Sequence, residues 1–415
     1  MRNVWRGAAL YGSGYARGVR LSSQAVLSAA SELGRHAALR GSTDRGVSTV
    51  ILLNPGPANT TRSVKNALVC EDICPRERDF GLVQKRVQQG LTRVVHAGDA
   101  YVTVLFGGSG TAAVEAAICS VVPPTGRLLV IDNGAYGTRM AQIAEAYQIA
   151  RDSLQFGVGG YPDLNRIAEL LQTKRYSHLA VVHHETSTGL LNPVERIGLL
   201  CEQHGVEMVV DAMSSYAGVP IDIAQMRASY LVSSSNKCIQ GMAGLGFVIC
   251  RRESLQRLQS FPGRSHYLNL IEQHRFFERH LQMRFTPPVQ IMYALDQALK
   301  EFFAEGQENR SERYRACFAA LDEGMHALGF RRLLPDHMLS RILTAYIEPT
   351  HPDYSFEAMH DALYQRGYTI YPGKGAQQDT FRLANMGAIK ADDMRAFIKV
   401  LAALIDEKGW LPLYR

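Results

Sequence analysis

The chain has 415 residues, of which 46% are hydrophobic and 20% charged, with seven cysteines and a formal net charge of +6. The length favours two globular domains with an ample core, and no apolar run approaches the roughly 20 residues that a membrane-spanning helix needs. An odd number of cysteines without a C-x-x-C pair argues against a disulfide framework or a bound metal, and favours a cytoplasmic protein whose thiols stay reduced.

Residues 1–48 hold most of the positive charge, with seven arginines against two acidic residues. An Arg- and Ser-rich, acid-poor start is typical of an organelle transit peptide, but a disordered extension or a mis-assigned start codon explains it equally well. We expect this extension to be non-essential. The remaining residues are close to neutral, so the sequence does not predict nucleic-acid binding.

From Thr49–Leu53 onward, strand-like apolar runs alternate with amphipathic stretches. This alternation predicts an α/β fold, with a mostly parallel sheet covered by helices and a site at the carboxyl ends of its strands. A helical pattern at Val289–Glu305 would lead into a smaller α+β domain. We therefore expect a large domain at 49–290, whose first residues are also candidates for packing on the small one, and a small domain at 291–415. The other strand-like runs are Val102–Phe106, Leu128–Asp132, Leu179–His183, Glu207–Asp211, Tyr230–Ser233 and Gly246–Cys250.

The run Val102–Phe106 leads into the turn Gly107-Gly108-Ser109-Gly110-Thr111 and then into a helical stretch. Such a turn at a helix N-terminus offers a phosphate free backbone N–H groups, hydroxyl groups and the positive end of the helix dipole. The turn has neither the Gly-Lys-Ser/Thr of a P-loop nor the G-x-G-x-x-G of dinucleotide sites. The turn is therefore a candidate site for the phosphate of a ligand that neither of these two motifs binds.

Two further strand-like runs are followed by, or end in, a charged residue. Asp211 ends the buried run Glu207–Asp211, where it could hold a pyridine nitrogen protonated or cap a following helix. Lys237 follows Tyr230–Ser233 and precedes a glycine-rich stretch. A lysine there either has its amino group in solvent or forms a Schiff base with an aldehyde cofactor, which removes the cost of burying its charge. A phosphate cradle, an acid and a lysine, in that order, favour pyridoxal phosphate.

Together with these features, further motifs make the chain from about Asn54 to its C-terminus resemble the class V aminotransferases of fold type I, most closely the branch that acts on 2-aminoethylphosphonate. The runs most specific to this branch are Asn236-Lys237-Cys238-Ile239-Gln240-Gly241 and Tyr371-Pro372-Gly373-Lys374. Other matching segments, shared with alanine–glyoxylate and serine transaminases, are Leu53–Pro57, Gly108–Thr111, Asn133–Gly137, His184–Gly189, Val210–Ser215 and Phe285–Pro288.

The resemblance implies pyridoxal 5′-phosphate, attached to Lys237 and paired through its ring nitrogen with Asp211. Tyr136, which could otherwise be a core tyrosine, would stack on the ring, and Thr186 would hydrogen-bond near the ring hydroxyl. The phosphate would be held by Ser109, Gly110, Thr111 and Asn236 and, across a homodimer interface, by Thr286 of the partner subunit.

The resemblance also implies that Arg382 binds the acid group of the substrate, although a lone arginine in a strand is more often part of a surface ion pair. The implied reaction converts 2-aminoethylphosphonate and pyruvate to phosphonoacetaldehyde and alanine. Alanine–glyoxylate or serine–pyruvate transfer, or transfer from a related aminophosphonate, remains an alternative. A cysteine desulfurase would need a reactive loop cysteine, and a transcription regulator would need a DNA-binding domain; the sequence identifies neither.

Overall fold

Seven strands between residues 101 and 251 form the central sheet in a computed structural model that describes residues 50–373, 375–376 and 378–414. The leading segment 1–48 lies outside the described residues. The strands are β1 Ile51–Leu52, β2 Tyr101–Gly107, β3 Leu128–Asp132, β4 Arg151–Gln155, β5 His178–Val182, β6 His184–Glu185, β7 Leu190–Leu191, β8 Glu207–Asp211, β9 Tyr230–Ser234, β10 Leu245–Arg251, β11 Leu343–Ile347, β12 Tyr368–Thr369, β13 Tyr371–Pro372 and β14 Thr380–Ala384.

The central sheet has the strand order β2-β10-β9-β8-β5-β3-β4. β10 runs antiparallel to both of its neighbours, and the other strand pairs are parallel. The mostly parallel α/β fold expected from the sequence is therefore confirmed. The helices lie at Arg62–Asn66, Arg78–Val94, Gly110–Val121, Ala135–Ala146, Leu164–Gln172, Val194–Gln203, Arg252–Arg257, Leu270–His280, Val289–Glu305, Gln307–Ala327, Phe356–Gln365 and Ala391–Lys408, with 3₁₀ turns at Leu258–Ser260 and Asp336–Met338.

The two faces of this sheet belong to different hydrophobic clusters. Val181 and Val210 pack in one cluster, and the neighbouring Val182 and Val209 pack in the other. Successive side chains of a strand point to opposite faces, so a strand buried on both faces is a continuous apolar run. This is why the central strands are readable in the sequence.

Two strands differ from the expectations. Val50 and Leu53 of the predicted run lie outside the first strand, which pairs with β12, so the first described residues pack on C-terminal residues, as one of the expectations had it. The outer strand β4 was not predicted, because three of its five residues are only partly buried and four are polar. Both differences arise where a strand is short or lies at an edge, so that burial leaves little pattern in the sequence.

The C-terminal residues build a second core around the sheet β11-β14-β13. Phe381 of β14 packs with Met325 and Phe397 from the two long helices on one side, and Leu53 joins the same cluster. The division into domains at residue 290 remains a prediction. Among the described residues, none of the helices is both long and apolar enough to cross a membrane.

Candidate active site

Five strands of the central sheet carry a predicted site residue at or beyond their carboxyl ends, which lie at one edge of the sheet. Ser109 follows β2, Tyr136 follows β3, Thr186 follows β5, Asp211 ends β8, and Lys237 follows β9. These five strands run in the same direction, so their carboxyl ends lie side by side, as is usual for ligand sites in open α/β sheets. The fold thus brings together residues that are up to 128 positions apart in the chain.

Lys237 lies beneath the loop that contains Pro55 and Gly56. Its Nζ atom donates a hydrogen bond of 2.5 Å to the carbonyl oxygen of Pro55. A Cβ atom on Gly56 would lie 2.3 Å from Nζ, and Gly56 has φ +124°, so only glycine allows this approach. Burial lowers the pKa of Lys237 to about 8, while the charge of Asp211 opposes this shift. Near physiological pH the lysine is therefore mostly protonated, but its neutral fraction is far larger than that of a lysine with the ordinary pKa.

Asp211 is 4% exposed, and its Oδ1 atom accepts a hydrogen bond of 2.9 Å from the backbone N–H of Met213. The residues that follow form turns instead of an α-helix, so Asp211 does not cap a helix. Burial raises its pKa to about 6, opposed by the Met213 N–H and by the positive charges of Arg139 and Lys237. Asp211 is thus a largely ionised, buried acid close to the lysine.

The phosphate cradle predicted at residues 107–111 begins the helix Gly110–Val121, with Ser109 as its N-cap residue. No side chain caps this helix end, and no acidic residue lies in its first turn. A Cβ atom on Gly110 would lie 2.2 Å from the sulfur of Met213, so a larger residue there would displace the Met213 side chain. Asn236 follows β9 in the chain, and its Oδ1 atom accepts a hydrogen bond from the hydroxyl of Ser234. The helix end is suited to an anion.

Glu185 is a buried acid whose role sequence reasoning missed. Its carboxylate accepts hydrogen bonds from the backbone N–H groups of Tyr136 and Gly137, at 3.1 and 3.3 Å, and from the hydroxyl of Ser187 at 2.5 Å. Burial raises the pKa of Glu185, and these hydrogen bonds oppose the shift. Glu185 therefore fixes the start of the helix that carries Tyr136.

Arg382 lies in the middle strand of the C-terminal sheet and is 5% exposed. Its Nε and Nη1 atoms donate hydrogen bonds to the carbonyl oxygens of Pro372, at 2.9 Å, and Thr186, at 3.1 Å. A further side-chain hydrogen bond joins it to Tyr136. No carboxylate of the described residues forms an ion pair with it, so it is not part of a surface ion pair. Its buried positive charge is suited to the acid group of a ligand.

Thr286, in contrast, is exposed on the single chain. The ring of its neighbour Phe285 stacks on Tyr267 with 4.9 Å between centroids. The hydroxyl of Tyr267 donates a hydrogen bond of 3.4 Å to the carbonyl oxygen of Gly107, just before the phosphate cradle. Thr286 is therefore displayed on the surface close to the cradle.

Two other polar residues at the site had no role in the sequence prediction. Arg139 donates a hydrogen bond of 3.1 Å to Oγ1 of Thr111, and its guanidinium lies 4.8 Å from the centre of the Tyr136 ring. Arg139 lies one helical turn after Tyr136, which is the signal that could have found it. His184 is buried, with its ring nitrogens 2.9 Å from the hydroxyl of Ser214 and 2.8 Å from that of Ser340.

Tyr314 connects the segment just after Lys237 with the segment just after Arg382. Its hydroxyl accepts hydrogen bonds from the Gln240 side chain at 2.8 Å and the Gly387 backbone N–H at 3.0 Å. It also lies 3.4 Å from the carbonyl oxygen of Cys238, to which it donates. No short sequence pattern announces a contact between residues more than 70 positions apart.

We expect Tyr314→Phe to lower the free energy of unfolding by about 1–3 kcal/mol, because the Gly387 N–H and the Gln240 amide lose a buried acceptor. Urea denaturation measures this loss. Tyr364→Phe is the matched control, since Tyr364 is 58% exposed on a surface helix. Equal stabilities of the two variants would show that the Tyr314 hydroxyl contributes nothing to the fold.

Comparison with known proteins identifies the family. Residues 65–387 match the model of the class-V aminotransferases. The 2-aminoethylphosphonate–pyruvate transaminase of Syntrophobacter fumaroxidans is 43% identical over 352 residues, which cover 84% of this chain and 94% of that protein. The protein of the same description from Vibrio cholerae is 41% identical over 355 residues, covering 85% and 96%.

Solved structures share the fold. The alanine–glyoxylate aminotransferase from Nostoc sp. has a TM-score of 0.81 at 25% identity and covers 88% of this chain and 98% of its own. The ureidoglycine–glyoxylate aminotransferase from Bacillus subtilis has a TM-score of 0.80 at 22% identity, with coverages of 87% and 94%. The resemblance seen in the sequence is confirmed, and the chain belongs to the class V aminotransferases, enzymes of fold type I that depend on pyridoxal 5′-phosphate.

Proposed function

We propose that the protein transfers the amino group of 2-aminoethylphosphonate to pyruvate, giving phosphonoacetaldehyde and alanine. The observation that carries this proposal is Arg382, a buried guanidinium beside the lysine site that has no carboxylate partner among the described residues. A planar fork of N–H donors suits both the phosphonate and the carboxylate of pyruvate. The names of the relatives at 41–43% identity support the phosphonate as the amino donor.

The described residues fit pyridoxal 5′-phosphate. The uncapped helix end at Ser109, Gly110 and Thr111 would hold its phosphate, and Asn236 would lie beside it. Asp211 would pair with the ring nitrogen, Thr186 would lie near the ring hydroxyl, and Tyr136 would stack on the ring. When bound, this cofactor supplies an electron-poor ring that delocalises the negative charge left on a substrate carbon when its proton is removed.

Lys237 would do two things in this site. As a neutral amine it would attach the cofactor covalently, and once released it would move the proton of the substrate carbon. Both roles need the unprotonated amine, which the lowered pKa of about 8 makes accessible. Asp211 would keep its negative charge near neutral pH, because the backbone N–H of Met213 and the positive charge of Arg139 oppose the effect of burial on its pKa. Arg382 would orient the substrate by its acid group.

A panel of amines tests the substrate. With each amine alone, the visible absorbance of the lysine-bound cofactor should fall when the amino group is transferred. We expect rapid loss with 2-aminoethylphosphonate and with alanine, and recovery on addition of pyruvate. If 2-aminoethylphosphonate leaves the absorbance unchanged while alanine and glyoxylate cycle rapidly, the phosphonate proposal is wrong and alanine–glyoxylate transfer takes its place. If a hydroxylated or otherwise related aminophosphonate reacts faster than 2-aminoethylphosphonate, only the identity of the amino donor in the proposal changes.

We also propose a homodimer, in which Thr286 of one chain completes the phosphate site of the other. The exposure of Thr286 and its position near the Gly107 end of β2 support this arrangement. Chains with Thr286→Ala and chains with Lys237→Ala should be mixed after separate purification and partial unfolding. If Thr286 acts across the interface, the mixed dimer contains one intact site and regains activity. A monomer in solution, or no recovery on mixing, would contradict the proposal.

Three further expectations concern the cellular compartment, the leading segment and the division into domains. The seven cysteines are free thiols in the structure, which supports a reducing compartment such as the cytoplasm. The leading segment 1–48 is proposed to be dispensable, because the described residues from Val50 onward form a unit of their own. The division into a large domain at 49–290 and a small domain at 291–415 is supported by a hydrophobic cluster whose members, apart from Ile51 and Leu53, come from residues 317–414.

A further inference from the structure

We propose that the hydroxyl group of Tyr136 determines specificity for a phosphonate over a carboxylate, by donating a hydrogen bond to the third phosphonate oxygen. This inference rests on the proposed function and assigns Tyr136 a second role beside ring stacking. It concerns the amino donor, and it places the hydroxyl, not the aromatic ring, at the point where the two kinds of acid are distinguished.

The first step concerns the donors that Arg382 has available. A guanidinium has five N–H groups. The Nε–H and one Nη1–H of Arg382 are already committed to the backbone carbonyl oxygens of Pro372 and Thr186. Of the other three donors, one on Nη1 and two on Nη2, one donates to the hydroxyl of Tyr136. The two that are left can bind two oxygens of an acid group, but they offer no donor to a third oxygen.

The second step concerns the position of Tyr136. Its backbone N–H is held by the carboxylate of Glu185 at 3.1 Å, at the start of a helix. The guanidinium of Arg139 lies over its ring at 4.8 Å. Its side chain forms a hydrogen bond with Arg382. Tyr136 is thus held through its backbone, its ring and its hydroxyl, and the hydroxyl lies next to the guanidinium that would bind the acid group.

The third step is the difference between the two acids. A carboxylate is planar and has two oxygens, both of which the fork of Arg382 satisfies. A phosphonate is tetrahedral, has three oxygens and carries up to two negative charges. In a buried site an oxygen without a donor is costly, because it has given up its hydrogen bonds to water. The Tyr136 hydroxyl, adjacent to Arg382, is the donor placed to satisfy the third oxygen.

The test compares two amines that differ only in the acid. 2-Aminoethylphosphonate and 3-aminopropanoate have the same amine and the same two-carbon spacing. We expect Tyr136→Phe to lower the ratio of kcat/KM for 2-aminoethylphosphonate to kcat/KM for 3-aminopropanoate by about ten- to a hundredfold. This loss corresponds to one hydrogen bond to a charged group. Phenylalanine keeps the aromatic ring, so loss of stacking does not explain a change in this ratio. Tyr364→Phe, at an exposed position, should leave the ratio unchanged.

A binding measurement separates this inference from the proposed function. Calorimetry with ethylphosphonate and propanoate, which have no amine and do not react, gives the affinity of the loaded enzyme for each acid. Tyr136→Phe should weaken ethylphosphonate about tenfold more than propanoate. An equal loss for both acids would overturn the inference, since the hydroxyl would then act only by positioning Arg382. If the wild-type protein fails to react with 2-aminoethylphosphonate, the proposed function is wrong, and the binding ratio still decides the role of the hydroxyl.

Discussion

Replacing Lys237 with alanine is expected to lower turnover by about 10⁴-fold or more. The substitution removes the amine that attaches the cofactor and the base that moves the proton, and positioned acid–base groups alone contribute about 10²–10⁴-fold. The variant should still fold, because within the described part of the chain the side chain makes a single hydrogen bond, to the carbonyl oxygen of Pro55. It should also retain cofactor through the helix end at Gly110, without the visible absorbance of the covalent form.

Borohydride reduction followed by peptide mass analysis locates the attachment. We expect the label on Lys237 and none in the Lys237→Ala variant. Lys300→Ala is the matched control, since the Lys300 side chain is 60% exposed and forms an ion pair with Asp296 outside the site. Recovery of the label on another lysine would contradict the assignment of Lys237.

The pH dependence of the same reaction has a defined sign. Below its pKa of about 8, Lys237 is mostly protonated, and the fraction of reactive neutral amine rises about tenfold per pH unit. The rate at which the cofactor-free protein captures pyridoxal phosphate should therefore rise with pH and level off above about 8. A lysine with an ordinary pKa of 10.5 would give a rate that keeps rising well beyond that value.

The sequence predicts the fold where local pattern and burial agree. The runs Leu128–Asp132 and Glu207–Asp211 are strands with the predicted bounds, because both faces of each strand are buried and the apolar residues are continuous. The direction of β10 has no such signal, since an antiparallel strand buried in this sheet has the same composition as its parallel neighbours. It is determined by how the chain returns from β9.

The candidate site shows the same division. Asp211 and Lys237 are legible in the sequence because a charged residue at the end of an apolar strand is unusual. The contacts of Arg382 with Thr186, and of Tyr314 with Gln240, join residues far apart in the chain. Glu185 stabilises a helix that begins 50 residues before it. Such groups acquire their environment only when separate strands and helices pack, so the sequence identifies them through family resemblance or not at all.

Replacing Arg382 with lysine is expected to lower kcat/KM by about ten- to a hundredfold with 2-aminoethylphosphonate and with alanine alike. Lysine keeps the positive charge but loses the planar fork, so an acid bound through two parallel hydrogen bonds keeps at most one of them. Losing one hydrogen bond to a charged group costs about 1.5–3 kcal/mol. The Pro372 and Thr186 carbonyl oxygens also lose their donors, which adds to the cost.

Steady-state kinetics of both half-reactions measures this effect, and Arg395→Lys is the control, because that side chain is 63% exposed in a surface pair with Asp392. The half-reactions must be compared within the same preparation, so that lower cofactor content affects both equally. A loss confined to 2-aminoethylphosphonate would show that pyruvate and alanine bind their carboxylate elsewhere. Arg139, whose guanidinium lies over the Tyr136 ring, would then be the first residue to replace. An equal loss for both amines supports one shared acid site, in which Arg382 binds either acid and neighbouring hydroxyl groups decide between them.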